Sequence, residues 1–211
     1  VKVEYRLTAR RKDGIPVPMS QPSSTMAYGS VVLAAVLWGG SIVAQKMALG
    51  SFSAVEASVL RDIGGLAILL ATWWSKEGGA LTISRGDMGL LGLLGLGVLG
   101  NHLLIMMGLN YVSGAVGGVI IGASPVVTAL LSAILSRDVP LRAVWAGALL
   151  SFAGVGLVSV AGFQAAGEHP LLGSMLVFLG VVSWALYSIG SRALMERVSA
   201  LTVNWTTLLV A

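Results

Sequence analysis

The chain has 211 residues, of which 56% are hydrophobic and only 10% are charged, far below the roughly 25% charge that is usual in soluble domains. Its net charge of +4 does not indicate nucleic-acid binding, because the cations stand at the ends of apolar segments rather than on one polar face. The absence of cysteine excludes disulfides and thiolate metal sites, and two histidines far apart in the sequence predict no metal site.

Residues 1–27 are polar and contain three prolines, so we expect them to form a disordered basic tail. The chain begins with valine, whereas Met19 and Met26 stand just before the first apolar segment. Part of the tail is therefore interpreted as a start-site artefact.

Apolar stretches of about 20 residues follow, which is the length a helix needs to cross a hydrocarbon core about 30 Å thick. A seventh helix is expected to begin near residue 200. The six spans predicted before it are 29–49, 55–74, 88–109, 114–135, 141–161 and 171–191. This pattern predicts an all-α, polytopic helical membrane protein.

Lysine and arginine alternate between the connections of these spans. Eleven of the 13 cations lie before the first span or in the 2–3, 4–5 and 6–7 connections, whereas 50–54, 110–113 and 162–170 contain none. The positive-inside rule therefore places the N-terminus in the cytoplasm. The two exceptions, Lys46 and Arg61, fall in the outer halves of their helices.

Arg61 lies inside the second span, where a cation costs at least about 2.5 kcal/mol and requires a partner or an aqueous cavity. Asp62 follows it, and both an interhelical ion pair and a role with substrate or protons remain open. Lys46, near a helix end, is interpreted mainly as a side chain that extends to the membrane interface.

Asn101 and His102 are polar residues in the middle of the third span, and no charged residue is nearby. Both can supply hydrogen bonds to a cavity, and a histidine can change its charge near neutral pH and couple transport to protons. A hydrogen-bonded structural histidine is the alternative. Trp38 and Trp184 are candidate cavity aromatics, whereas Trp73 and Trp74 are expected to be interface anchors.

The fourth span contains small residues and a proline. Gly114, Gly118 and Gly122 have a four-residue spacing that predicts close helix packing, with a sliding face for alternating access as the alternative. Pro125 removes one helical hydrogen bond, and it is interpreted either as a fixed kink or as a hinge.

One pair of residues occurs twice. Trp38 and Lys46 return 146 positions later as Trp184 and Arg192, which indicates a duplication whose second copy opens near Trp184. Because the sequence ends at Ala211, we expect that copy to be incomplete. Lys46 is predicted near the outer face and Arg192 near the inner one, as in inverted copies.

Together these residues resemble the EamA-type drug/metabolite transporter superfamily. The matching positions are Trp38-Gly39, Lys46, Arg61, Leu109-Asn110-Tyr111, Ser113, Ala115, Pro125, Ala129-Leu130-Leu131, Asp138 (where Glu is more usual), Gly147 and Gly154. The resemblance implies a permease of two inverted five-helix repeats with a substrate cavity between them. Residues 28–161 would be the first repeat, and 171–211 would contain the first one to two helices of the second.

The implied function is secondary transport of a small metabolite, amino acid or drug-like compound across the bacterial inner (plasma) membrane, with export coupled to the proton gradient. The candidate substrate-binding residues are Trp38, Arg61, Asn101, His102 and Trp184. The candidate structural or gating residues are Lys46, Asp62, Gly118, Pro125 and Asp138. The alternative is an incomplete or nonfunctional membrane module that needs a partner chain or further helices.

The scattered carboxylates predict no enzyme active site, and we expect no cofactor, no metal and no nucleic-acid partner. The expected partners are the lipid bilayer, a small-molecule substrate and protons, and a homodimer remains open. Neither the substrate, nor the transport direction, nor the coupling ion follows from the residues.

Overall fold

The computed structural model describes residues 8–10, 16–18, 24–79, 83–135, 142, 145–147, 149–150, 153 and 169–211. Two short strands and seven helices have defined bounds in these ranges, and the described residues from 142 to 153 are also helical. They are β1 (Thr8–Arg10), β2 (Pro16–Pro18), α1 (Ser24–Ala48), α2 (Ala54–Glu77), α3 (Arg85–Tyr111), α4 (Gly114–Gly122), α5 (Ser124–Leu135), α6 (Pro170–Met195) and α7 (Ala200–Val210). The predicted all-α class is confirmed, and most of the span predicted at 141–161 lies outside the described residues.

The chain divides into two compact units, Val1–Ser41 and Ile42–Ala211. In the first unit, β1 and β2 form an antiparallel ladder that pairs Thr8 with Pro18 and Arg10 with Pro16. The ladder lies within the tail expected to be disordered, so that expectation differs from the structure at these six residues. Proline is compatible with the ladder because both strands of a two-stranded sheet are edge strands.

Four helical segments are long and apolar enough to cross a membrane: Tyr28–Ala48, Arg85–Tyr111, Gly114–Leu135 and Pro170–Met195. Many of their large apolar side chains are exposed, as expected for helices that face lipid tails. Helix α2, predicted as the second span, has 24 residues but contains Glu56, Arg61 and Asp62 and is not among the four.

Serine residues define where four of the helices begin. Each hydroxyl accepts a hydrogen bond from the backbone N–H three residues later, which satisfies one of the N–H groups left open at a helix start. The four residues are Ser53, Ser84, Ser113 and Ser199. Ser53 and Ser199 are 146 positions apart, the same offset that relates the two tryptophan–cation pairs.

Helices α3 and α6 approach each other through glycine. A Cβ atom placed on Gly108 would lie 2.6 Å from Val177 Cγ2 and 2.7 Å from the carbonyl oxygen of Gly173. A Cβ atom on Gly180 would lie 2.7 Å from Ile105 Cγ1. Only hydrogen fits at such distances, so these glycines permit the close packing of α3 against α6.

The glycine of the fourth span that packs against α3 is not a member of the stripe that the spacing predicts. Among the described residues, nothing lies within 4 Å of a Cβ atom placed on Gly114 or Gly118. Gly117 is the buried glycine of α4 instead, and it packs against Leu109. The four-residue spacing selected one face of the helix, but the contact with α3 lies on a different face.

A break at Ala123 separates α4 from α5, and Pro125 lies in the first turn of α5. A proline at this position has no N–H to donate to the carbonyl oxygen of Ile121, four residues earlier. The hydroxyl of Ser124 donates to that oxygen at 2.5 Å. This local repair is consistent with a kink in an otherwise continuous 22-residue apolar segment.

A buried apolar cluster joins α3, α6 and α7. Its members are Leu91, Leu94, Val98, Tyr187, Leu194, Val198 and Val203. Trp73 of α2 packs against Trp205 of α7 with 5.1 Å between ring centroids. Trp73 is only 6% exposed, so its prediction as an interface anchor is wrong, whereas its neighbour Trp74 is 69% exposed.

Candidate functional site

The second predicted span contains an arginine and an aspartate in sequence, and the structure pairs them. Arg61 Nε and Nη2 both donate to Asp62 Oδ1, each at 3.1 Å. Adjacent helical side chains point about 100° apart, so the guanidinium bends sideways along the helix to reach this carboxylate. The pair therefore presents both charges on neighbouring faces of α2.

A glutamine from α1 completes the contacts of the arginine. Arg61 Nη1 donates to Gln45 Oε1 at 3.3 Å. Gln45 stands one residue before Lys46, within the part of α1 that belongs to the second compact unit. The amide holds the guanidinium without adding charge, so Asp62 remains its charge partner.

The other oxygen of the carboxylate contacts a histidine on α3. His102 Nδ1 lies 2.9 Å from Asp62 Oδ2, and the ring nitrogen is the donor because an ionised carboxylate only accepts. From the sequence, His102 was expected to have no carboxylate partner nearby. That expectation is wrong, since the partner stands 40 positions earlier on the adjacent helix.

We call Gln45, Arg61, Asp62 and His102 the ion cluster. Its side chains differ in accessibility: Arg61 is 32% exposed, whereas Asp62 and His102 are 15% and 16% exposed. A guanidinium has five N–H donors, and three of them are used by Asp62 and Gln45. Among the described residues, two donors of Arg61 therefore have no partner, and they belong to the most accessible side chain of the cluster.

Lys46 of α1 contacts the end of α3. Its ammonium donates to the carbonyl oxygens of Leu109 and Val112, the latter at 3.0 Å. These carbonyls lie at the end of α3, a helix with no basic residue in its own last turn. A cation there satisfies open carbonyls and opposes the negative end of the helix dipole, so Lys46 caps α3.

Asn101 on α3 and Trp184 on α6, both predicted to bind substrate, take part in the packing of helices. Asn101 Nδ2 donates to the carbonyl oxygen of Gly180 at 2.9 Å. Trp184 packs beside the buried cluster, 5.3 Å from the ring of Tyr187. The structure thus gives both residues contacts between helices, and it brings Arg61 and His102 together through Asp62.

The remaining predicted residues are distributed as follows. Trp38 lies on α1 in the first compact unit, and its side chain is exposed. Asp138 lies outside the described residues. In the ranges that the structure covers, no three His, Cys, Asp or Glu side chains are grouped so as to hold a metal.

Sequence reasoning missed Gln45 and assigned Asp62 only a structural or gating role. A signal for Asp62 was present, because an arginine inside a span requires a compensating charge. Gln45 gave a weaker signal, since a polar residue beside Lys46 near a helix end is ordinary. The contact between α2 and α3 that selects His102 could not be read from one sequence.

Two further polar contacts lie at helix ends, away from the ion cluster in sequence. Arg197, after α6, pairs with Asp87 at the start of α3 with 2.8 Å between Nη2 and Oδ1. Glu77, at the end of α2, accepts hydrogen bonds from Ser199 at 2.6 Å and Thr202 at 3.0 Å. Its negative charge stands at the positive end of α7, which stabilises the start of that helix.

Comparison with known proteins supports a transport protein. A model of the EamA-like transporter family matches residues 25–160. Two proteins of Bacillus subtilis (strain 168) are similar: the uncharacterized transporter YetK is 26% identical over 181 residues, and the uncharacterized transporter YyaM is 26% identical over 178. The alignments cover 84% and 83% of this chain but only 55% and 58% of those relatives. No solved structure matches significantly.

Proposed function

The chain belongs to the EamA-like transporter family, and we propose that it acts as a secondary transporter for a small metabolite, amino acid or drug-like compound. Family membership and the apolar helices make it a multi-pass membrane protein. We further propose export across the bacterial inner (plasma) membrane, coupled to the proton gradient, with the N-terminus in the cytoplasm. Residues 28–161 would form the first repeat, and 171–211 would open the inverted second.

The ion cluster is the observation that carries this proposal. It places an arginine, a carboxylate and a histidine among helices that are otherwise apolar, where each charge is costly unless it is paired or hydrated. Polar groups at that cost mark substrate and ion pathways in membrane proteins. The family match is consistent with such a pathway.

The three charged or titratable members of the cluster have separate roles in this proposal. Arg61, the most exposed, contacts the substrate, while Asp62 balances its charge. His102 contacts the same carboxylate and is the group that exchanges a proton. Asn101 and Trp184 support the cluster indirectly by fixing α3 against α6.

A flux measurement tests the proposal. We would reconstitute the purified chain in proteoliposomes, impose a pH gradient, and follow a panel of radiolabelled amino acids, organic acids and cationic drugs. At least one compound should move in a gradient-dependent manner, and a protonophore should abolish that movement. Arg61→Gln should abolish it too, whereas Arg197→Gln, which removes an exposed ion pair at a helix end, should retain it.

Absence of gradient-dependent movement for every compound would contradict the proposal. Flux that appears only after co-reconstitution with a second membrane protein would favour the alternative, a module that needs a partner chain. Flux that persists unchanged in Arg61→Gln would show that the ion cluster is not part of the transport pathway. Family membership would then be the remaining support for transport.

A further inference from the structure

We propose that the ion cluster binds the carboxylate group of an anionic substrate together with one proton, which His102 takes up. This inference rests on the proposed transport function and names the chemical class of the substrate. It follows from which atoms of the cluster are engaged, which are accessible, and how the charge of the cluster must balance.

Asp62 accepts hydrogen bonds from Arg61 in the way that the carboxylate group of a substrate would. Both Nε and Nη2 of Arg61 point to one carboxylate oxygen, Asp62 Oδ1, and the two contacts have equal lengths of 3.1 Å. The planar guanidinium is the side chain best suited to carboxylates. With its remaining donors and its 32% exposure, Arg61 is accessible to a second carboxylate, whereas Asp62 is sheltered.

The aspartate is also held from its other side. Its Oδ2 contacts His102 Nδ1 at 2.9 Å, so the carboxylate keeps a partner when Oδ1 releases the guanidinium. An incoming carboxylate can therefore take the place of Asp62 on Arg61 without leaving Asp62 unpaired. No covalent bond changes in this exchange, because hydrogen bonds of the same type are broken and formed.

The net charge of the ion cluster requires that one proton bind together with the anion. With neutral His102, the cluster carries one positive and one negative charge, and its sum is zero. A bound monocarboxylate would make the sum minus one, which is costly among apolar helices. One proton on the free ring nitrogen of His102 restores the sum to zero and strengthens the contact with Asp62.

The other charged residues on the neighbouring helices are not placed to compensate the charge of a bound anion. Helices α4 and α7 contain no charged residue, and α6 contains only Arg192 in its last turn. On α3 the charged residues are Arg85 and Asp87, at its start. The others on α2 are Glu56, Lys76 and Glu77, near its two ends. On α1 the charged residue is Lys46, whose ammonium is bound by backbone carbonyls at the end of α3. Among the described helices packed on α3, Arg61 and Asp62 are therefore the charges grouped with His102.

Binding of the anion and of the proton is consequently linked: each increases the affinity for the other, by the same factor. The bound pair carries no net charge. The substrate and the proton then move in the same direction, so an inward proton gradient favours uptake, and export proceeds when the outward gradient of the substrate is the larger of the two. The membrane potential has little effect on this movement.

A binding experiment tests the inference without requiring transport. We would place the chain in phosphatidylcholine nanodiscs at neutral pH and titrate three probes of matched shape: benzoate, benzamide and benzylamine. Calorimetry would report binding, and a pH-sensitive dye in weakly buffered solution would report protons. Benzoate should bind with uptake of one proton per molecule, whereas neutral benzamide and cationic benzylamine should not bind measurably.

Variants separate the two halves of the inference. Arg61→Gln should weaken benzoate binding about tenfold or more, as expected for the loss of a charge-assisted contact. His102→Gln should still bind benzoate, more weakly and without proton uptake. His169→Gln, which alters the exposed histidine before α6, should retain both binding and proton uptake. If Arg61→Gln fails to fold, Arg61→Lys keeps the charge and should still weaken binding by losing the planar fork.

Several outcomes would overturn the inference. They are binding of benzylamine with proton release, benzoate binding that Arg61→Gln leaves intact, full proton uptake in His102→Gln, and no binding of benzoate, acetate or formate at the highest soluble concentration. The proposed function fails separately, through the absence of flux. Flux without anion-linked proton uptake would contradict only the inference made here.

Discussion

Helix α3 has two faces with opposite properties, and two adjacent residues separate them. Asn101 faces α6, where its amide donates to a backbone carbonyl within a contact built on glycine. His102 faces α2, where its ring contacts a carboxylate that an accessible arginine shares. The first face leaves no space for a Cβ atom at Gly108, whereas the second has a partly exposed arginine. We infer that one face holds the helices together and the other carries the chemistry.

The largest effect is expected where the packed face is broken. Gly108→Leu inserts a side chain where even a Cβ atom would lie 2.6 Å from Val177, so it should separate α3 from α6. Overpacking costs about 1–3 kcal/mol and more where backbones touch, so the thermal midpoint in detergent should fall strongly. Gly118→Leu is the matched control, because the described structure leaves space there; an equal loss in both variants would contradict the comparison.

The face with the ion cluster should lose function before it loses stability. Asp62→Asn leaves Arg61 without its charge partner, and because the pair is only partly buried we expect a cost of about 1–2 kcal/mol. Thermal melts should show that the double variant Arg61→Gln/Asp62→Asn recovers much of this stability, while its flux stays absent. Recovery of flux in the double variant would show that the cluster serves only to stabilise the fold.

A smaller effect is expected at Lys46, which joins the end of α3 to α1. Lys46→Met keeps the apolar stem but removes the cation from two open carbonyls, at a cost of about 1 kcal/mol. Melting curves should show this loss, and hydrogen exchange should increase at the end of α3. Lys76→Met, at the exposed end of α2, should change neither quantity. If the two variants behave alike, Lys46 does not cap α3.

The sequence predicted most of the fold because helix length, apolar composition and the placement of cations are local properties. The five predicted spans that can be compared, and the seventh helix expected near residue 200, match the observed helices closely, including the break beside Pro125. Contacts between helices were less predictable. Gly114 and Gly118 suggested a packing face by spacing alone, yet Gly117 is the buried glycine because the position of α3 decides which face is covered.

The candidate site was predictable in part for the same reason. Arg61 and His102 were identified because a polar residue inside an apolar span must have a role or a partner. The link between them through Asp62 depends on how α2 and α3 are rotated against each other, and a single sequence does not contain that rotation. Asn101 was predicted to bind substrate together with His102. Adjacent helical side chains point about 100° apart, however, so Asn101 contacts α6 whereas His102 contacts α2.

The most direct test of the two faces of α3 compares two adjacent residues of that helix, one on each face. Gradient-driven flux per folded molecule and the thermal midpoint would be measured together for His102→Gln and Asn101→Ala. We predict that His102→Gln abolishes proton-dependent flux with a nearly unchanged midpoint, and that Asn101→Ala lowers the midpoint while each folded molecule retains its flux. Proton-dependent flux that survives in His102→Gln and disappears in a well-folded Asn101→Ala would contradict the assignment of the two faces.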